Sequence, residues 1–275
     1  MSHAPTGYND ATSRGRKAPG AGGKEATVAA TASAFAQELY EVVAARHSKD
    51  HPVIGMIERG ELSREALLGF SVQFYQLFPK VFPKPIAALY ARCPDDADIE
   101  KHLLENLIEE GTGQVSGSAG HRDLFIAFGK VMGISGEVLD AAEPLPETAA
   151  LLNWRDVLFY QRPWIEAMAA QGYALEGTAA ERMKRIVRGL REHYEIPQEG
   201  MGYWTVHIEV EDEHGSVGAV AVERFARTDE QQAAVRDAVQ RTLDVFWLFF
   251  DGVKRCYIDE DPAYARWRDW LRAQR

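Results

Sequence analysis

The chain has 275 residues, 46% of them hydrophobic and 26% charged, which is enough apolar material for one large domain with a substantial core. Lys+Arg 31 against Asp+Glu 41 leaves a net charge of −10, a poor basis for gripping nucleic acid or an anionic membrane through bulk charge. Two cysteines, Cys93 and Cys256, exclude a disulfide scaffold or a Cys-based zinc site, and no apolar run approaches the roughly 20 residues of a membrane span.

The composition, with no signal-like apolar core at the N-terminus, predicts a reduced, cytoplasmic globular protein. Residues 1–30 are rich in Gly, Ala, Ser, Thr and Pro and carry no periodic large apolar groups, so they read as a disordered tail. Residues 31–275 read as a single helical domain. Phe35, Leu39, Val42 and Val43 make the first helical stripe, and His51-Pro52 breaks it. A second helix starts near Ser63 and turns Leu67, Leu68, Phe70, Phe74 and Leu77 inward, until Pro79, Pro83 and Pro85 interrupt it. Asp95 to Glu110 forms the next helix on Ile99, Leu103, Leu104 and Leu107. His121 to Met132 follows on Leu124, Phe125, Phe128 and Val131. Thr178 with Glu181, and Thr228 with Gln231, have capping-box spacing and predict two further helix starts. The second of these helices runs to about Tyr257, and a short amphipathic helix closes the chain near Tyr264–Leu271. The pattern is that of an all-α bundle.

One segment conflicts with its surroundings. Trp204 to Glu211 alternates apolar and polar residues, Asp212-Glu213-His214-Gly215 is turn-like, and Val217 to Val222 is rich in valine. Local propensity favours a β-hairpin. The remaining sequence supplies no partner strands, and a lone hairpin is marginal in water, so context favours helix.

Taken as a helix, that segment puts His207, Glu211 and His214 at i, i+4 and i+7, inside an arc of about 60°. Imidazole, carboxylate and imidazole on one face suit iron, manganese or zinc; a merely solvated acidic face is the competing reading. Glu110 continues the face of Leu103 and points inward, whereas Glu109 is rotated away; the alternative is fraying at Gly111 that leaves both acids wet. His121 opens a helix after the loop 111–120, and Glu176 sits among small and apolar residues before a helix start. Each of these alone fits a cap or a helix-terminus acid. Together, three carboxylates and three imidazoles on separate helices form a donor set for two oxygen-loving metals.

At this point the sequence resembles a known family, the haem-oxygenase-like non-haem diiron oxidases and oxygenases. This family lies within the wider thiaminase-II-like and PqqC-like group. The resemblance covers about residues 35–258. It is carried by His51-Pro52-Val53-Ile54 with Arg59-Gly60-Glu61-Leu62-Ser63, by Gln73-Phe74-Tyr75 and by Ala91-Arg92-Cys93-Pro94-Asp95. It continues through Glu105-Asn106-Leu107-Ile108-Glu109-Glu110, His121-Arg122-Asp123-Leu124-Phe125, Ala174-Leu175-Glu176, and Tyr203 through His214. It implies a haem-oxygenase-like bundle of about seven core helices. The implied metal ligands are Glu110, His121, Glu176, His207, Glu211 and His214. Two departures stand out: the family usually has Asp where Glu211 stands, and the longer loop before His121 leaves Glu109 as a substitute for Glu110.

The resemblance further implies two Fe(II) per chain, O2 as co-substrate, and N-oxygenation or oxidative C–C cleavage of a small amino-acid-derived or fatty-acid-like substrate in specialised metabolism. It leaves room for an external electron donor and a homodimer, and calls for neither nucleic acid nor membrane. Tyr75, Tyr160, Tyr203 and Trp204 are read as core aromatics before substrate contacts. Three alternatives compete with this function. One is a cofactor-independent PqqC-like oxidase, which has no need of the full acid and histidine set. Another is a ferritin-like protein, which usually carries the Glu-x-x-His pair twice. The third is a non-catalytic helical binding protein.

Overall fold

Helix starts in this chain follow local chemistry closely, and the capped ones are the clearest. The computed structural model describes residues 34–209 and 211–274; the side chains at 209 and 211–216 lie outside that description, as does the tail assigned to 1–30. Among the described residues there are helices and turns and no strand. The helices are α1 (Ala34–Ala45), α2 (Pro52–Glu58), α3 (Arg64–Leu77), α4 (Pro83–Ala91), α5 (Ala97–Thr112), α6 (His121–Met132) and α7 (Gly136–Ala141). They continue with α8 (Pro146–Tyr160), α9 (Trp164–Ala169), α10 (Ala179–Glu192), α11 (Gly202–Glu209), α12 (Glu211–Phe225), α13 (Asp229–Val253) and α14 (Ala265–Ala273). The path of α9 runs on as a π-helical stretch, Ala170–Glu176, and that of α13 as another, Lys254–Ile258.

Ser63 caps α3 by accepting from the Ala66 N–H, and Asp96 caps α5 by accepting from the Ile99 N–H. His51 caps α2 through Nδ1, with Pro52 at the first helical position where its missing N–H costs nothing. Thr228 and Gln231 form the expected reciprocal capping box. Thr178 does not cap. The π-helical stretch before it leaves no extended residue at the helix start, and its hydroxyl donates back to the Ala174 and Leu175 carbonyls instead. The apolar spacing gave no warning of α7 and α8, which are set by Ser135 as a cap and by Pro146.

The β-like stretch is helical on both sides of residue 210. Its β-branched residues each cost a few tenths of a kcal/mol in a helix. Burying Tyr203 and Trp204, which are 2% and 0% exposed, returns about 1.5–3 kcal/mol apiece. Tertiary burial outweighs local propensity. These two rings pack into an aromatic layer shared by α3, α6 and α11: Phe125 lies 4.9 Å from Tyr203 and 5.5 Å from Trp204, and Phe74 lies 5.5 Å from Trp204. The layer fixes α6 against α11 one turn away from His121 and His207.

Candidate metal centre

The site begins at the C-terminal end of α5. The helix does not fray at Gly111; it continues to Thr112 and closes at Gly113 in the left-handed conformation, φ 69°. A side chain at 113 would strike the Ala119 carbonyl oxygen at 2.4 Å, so glycine lets the chain fold back there. The returning loop wraps around Glu109. The Val115 and Ser116 amides donate to its Oε2, both at 2.9 Å, and the Ser116 hydroxyl donates to its Oε1 at 2.6 Å. Glu109 is therefore 2% exposed and not turned to solvent, contrary to the helical-wheel expectation. Burial alone would raise its pKa, but the donors from Ser116, with His121, hold the carboxyl below the usual range.

The same loop delivers His121 to the start of α6. His121 Nε2 lies 3.3 Å from Glu109 Oε1, so this nitrogen carries the proton and donates. Nδ1 faces Glu110 Oε2 at 2.9 Å in an ion-pair arrangement, but without hydrogen-bond geometry. Burial pulls the imidazole pKa down, but Glu110 and Glu109 outweigh it and the pKa is raised. On α11, His207 donates from Nδ1 to the Tyr203 carbonyl at 2.6 Å, since a carbonyl can only accept. That bond fixes the tautomer and turns Nε2 toward Glu110 Oε1, 4.0 Å away. The two imidazole rings are 4.6 Å apart. Ligand atoms of Glu110, His121 and His207 all fall within 4.8 Å of one another.

These groups open onto a cavity also lined by Glu176, at the end of the π-helical stretch, and by Arg182, Phe74, Phe78, Phe82 and Tyr203. The Asn106 side-chain amide donates to Glu176 Oε1 at 2.7 Å and orients it. The free space is about 30 Å³, room for roughly an ion or a water or two.

A sequence model of an iron-containing redox enzyme family matches residues 69–247, about two thirds of the chain. The chain belongs to this iron-containing redox enzyme family. Within it, similar proteins include the 4-aminobenzoate synthase of Nitrosomonas europaea, 28% identical over 234 residues that span 81% of this chain and 92% of that protein. A 4-aminobenzoate synthase of Chlamydia muridarum is also 28% identical, over 81% of this chain and 93% of its own. The pyrroloquinoline-quinone synthase of Acidiphilium cryptum is 24% identical, over 80% and 88%. Among solved structures, a TenA homologue from Pseudomonas syringae superposes with a TM-score of 0.69 at 19% identity, over 81% of this chain and 93% of that one. A CADD-like protein from Nostoc punctiforme gives 0.64 at 18% identity, over 82% and 96%. These superpositions show the haem-oxygenase-like, TenA-type fold. Family membership makes the chain an iron-dependent oxidoreductase.

Of the six expected ligands, the fold brings Glu110, His121, Glu176 and His207 to one cavity. Glu211 and His214 lie on α12, and their side chains are outside the described residues. Tyr75 and Trp204 are core residues and Tyr203 lines the cavity, but Tyr160 is 51% exposed and belongs to neither group. Sequence reasoning missed Asn106 and Arg182. Asn106 was legible as the polar residue three after Leu103 on the buried face of α5. Arg182, 1% exposed, is held by the Ser48 and Thr178 side chains across a tertiary contact that no spacing announces.

Proposed function

We propose that the protein is an O2-activating non-haem iron oxidase or oxygenase that carries two ferrous ions per chain. Glu110, His121 and His207 would hold the first ion. Glu176, with Glu211 and His214 from α12, would complete the second position. The residues fit iron on two counts. The donors are the carboxylate and imidazole set that iron prefers. In addition, His121 Nδ1 is buried beside a carboxylate oxygen without a hydrogen bond, an arrangement that a cation between them relieves. The convergence of Glu110, His121 and His207 on one cavity carries this reading.

Bound ferrous iron supplies the electrons and open coordination positions that dioxygen chemistry requires. The chain supplies the rest. Glu109 keeps the proton on His121 Nε2, and the Tyr203 carbonyl keeps the proton on His207 Nδ1, so His121 presents Nδ1 and His207 presents Nε2 to the ion. Asn106 fixes the rotation of Glu176. Phe74, Phe78 and Phe82 exclude water from one wall, and Arg182 puts a buried cation into another. That combination suits a small substrate with an apolar or aromatic body and an acidic group. Relatives named for making 4-aminobenzoate are consistent with such a molecule.

The test is anaerobic loading with Fe(II) followed by measurement of oxygen uptake. Wild type should consume oxygen, and His121→Ala and His207→Ala should abolish the uptake while keeping the helical circular-dichroism spectrum. Undiminished uptake in both variants would contradict the assignment.

A further inference from the structure

The π-helical stretch 170–176 and α12 touch backbone to backbone. A Cβ added at Gly172 would lie 2.6 Å from Gly218 Cα, and one added at Gly218 would lie 2.8 Å from Gly172 Cα. Carbon atoms pack without repulsion at about 3.5–4.0 Å, so any side chain at either position forces the two helices apart by about 1 Å. The helices run antiparallel: Trp164, at the start of α9, packs edge-on against Phe225, at the end of α12, with ring centroids 5.6 Å apart. Gly172 lies eight residues after Trp164 and Gly218 seven before Phe225, so the two contacts keep nearly one register.

One turn further along that register, the residue four beyond Gly172 is Glu176, and the position four before Gly218 is 214. In an antiparallel pair these fall level with each other. Positions 211, 214 and 218 are spaced i, i+3 and i+7 along α12, and position 218 meets Gly172. The close crossing thus sits one turn from the place where Glu176 comes level with the turn of α12 that carries Glu211 and His214.

We infer that Gly172 and Gly218 are positioning residues: their side-chain-free contact sets the helix separation at which Glu176 and the 211–214 turn can hold the second ion together. This rests on the two-iron reading above. Glu110, His121 and His207 lie on α5, α6 and α11, none of which carries either glycine, so the first equivalent serves as the internal reference for the second. A shift of about 1 Å exceeds the roughly 0.5 Å tolerance within which such constellations must be held.

The experiment is anaerobic Fe(II) titration of the full chain, counting equivalents bound and the affinity of each. Circular dichroism and thermal melting of the metal-free protein are recorded alongside. Wild type should bind two equivalents. Gly172→Ala and Gly218→Ala reach the same contact from opposite helices, and whichever keeps the wild-type spectrum decides. Each should retain the first equivalent and bind the second at least tenfold more weakly. Gly189→Ala is the control, because its Cβ would meet the Ile57 carbonyl oxygen at 2.1 Å in a helix contact that carries no proposed ligand. It should lower the melting temperature and still bind two equivalents. If the second equivalent binds to Gly172→Ala and Gly218→Ala as tightly as to wild type, the inference is overturned. It is overturned equally if both equivalents weaken together, as in a general loss of stability. A wild-type chain that takes up fewer than two equivalents overturns the two-iron reading itself.

Discussion

Glu109 and Glu110 are chemically identical and adjacent, and their surroundings give them different work. Glu110 faces the cavity with two imidazoles, while Glu109 is saturated by Val115, Ser116 and His121. A carboxylate behind a ligating histidine fixes the ring and raises its basicity, and losing such a partner typically costs 10–100-fold in metal affinity. Glu109→Gln should therefore weaken Fe(II) binding by about 10–100-fold in a chelator competition while leaving the helical spectrum unchanged. Wild-type affinity in that variant would reduce Glu109 to a loop anchor. The sequence showed that Glu110 points inward, since its stripe runs back through Leu103 and Leu107. It did not show the role of Glu109, because the donors that bury it arrive only when the chain folds back at Gly113.

Helices were legible where a cap and an apolar stripe agreed. His121–Met132 coincides with its expected limits, and the capping box at Thr228 opens α13. Thr228→Ala removes a side-chain acceptor from the first turn, a loss of about 1 kcal/mol. For a chain of this size that lowers the melting temperature by about 2–4 °C. Iron binding should not change, because the cap's hydrogen bonds run to Gln231 and involve no proposed ligand, and a melting temperature equal to wild type would show the cap to be idle. The same four-residue spacing misled at Thr178, where the π-helical stretch ending at Glu176 displaces the cap. It was also silent in 204–222, where residue-by-residue propensity indicates strand. There the deciding term is the burial of Tyr203 and Trp204 against Phe74 and Phe125, which no local window contains.

Across the whole molecule, the bundle gathers groups distant in sequence around one small cavity. Glu110, His121 and His207 come from three helices, two of which, α6 and α11, share the aromatic layer, and Glu176 arrives on a π-helical stretch of the kind often found at functional sites. No helix among the described residues is long and apolar enough to cross a membrane. The broad outline, an all-α haem-oxygenase-like bundle, could be read from helical period and motif order, and the same order suggested the acid and histidine centre proposed above. The walls could not: Arg182 and the Gly172–Gly218 crossing are tertiary contacts between segments whose local patterns are ordinary.

Whether Glu110, His121 and His207 together grip iron is tested most directly by crystals grown anaerobically with Fe(II) and measured on both sides of the iron absorption edge. The expected result is an anomalous peak enclosed by the Glu110 carboxylate, His121 Nδ1 and His207 Nε2. Iron density elsewhere, or density at this place coordinated through His121 Nε2 with Glu109 in place of Glu110, would contradict it.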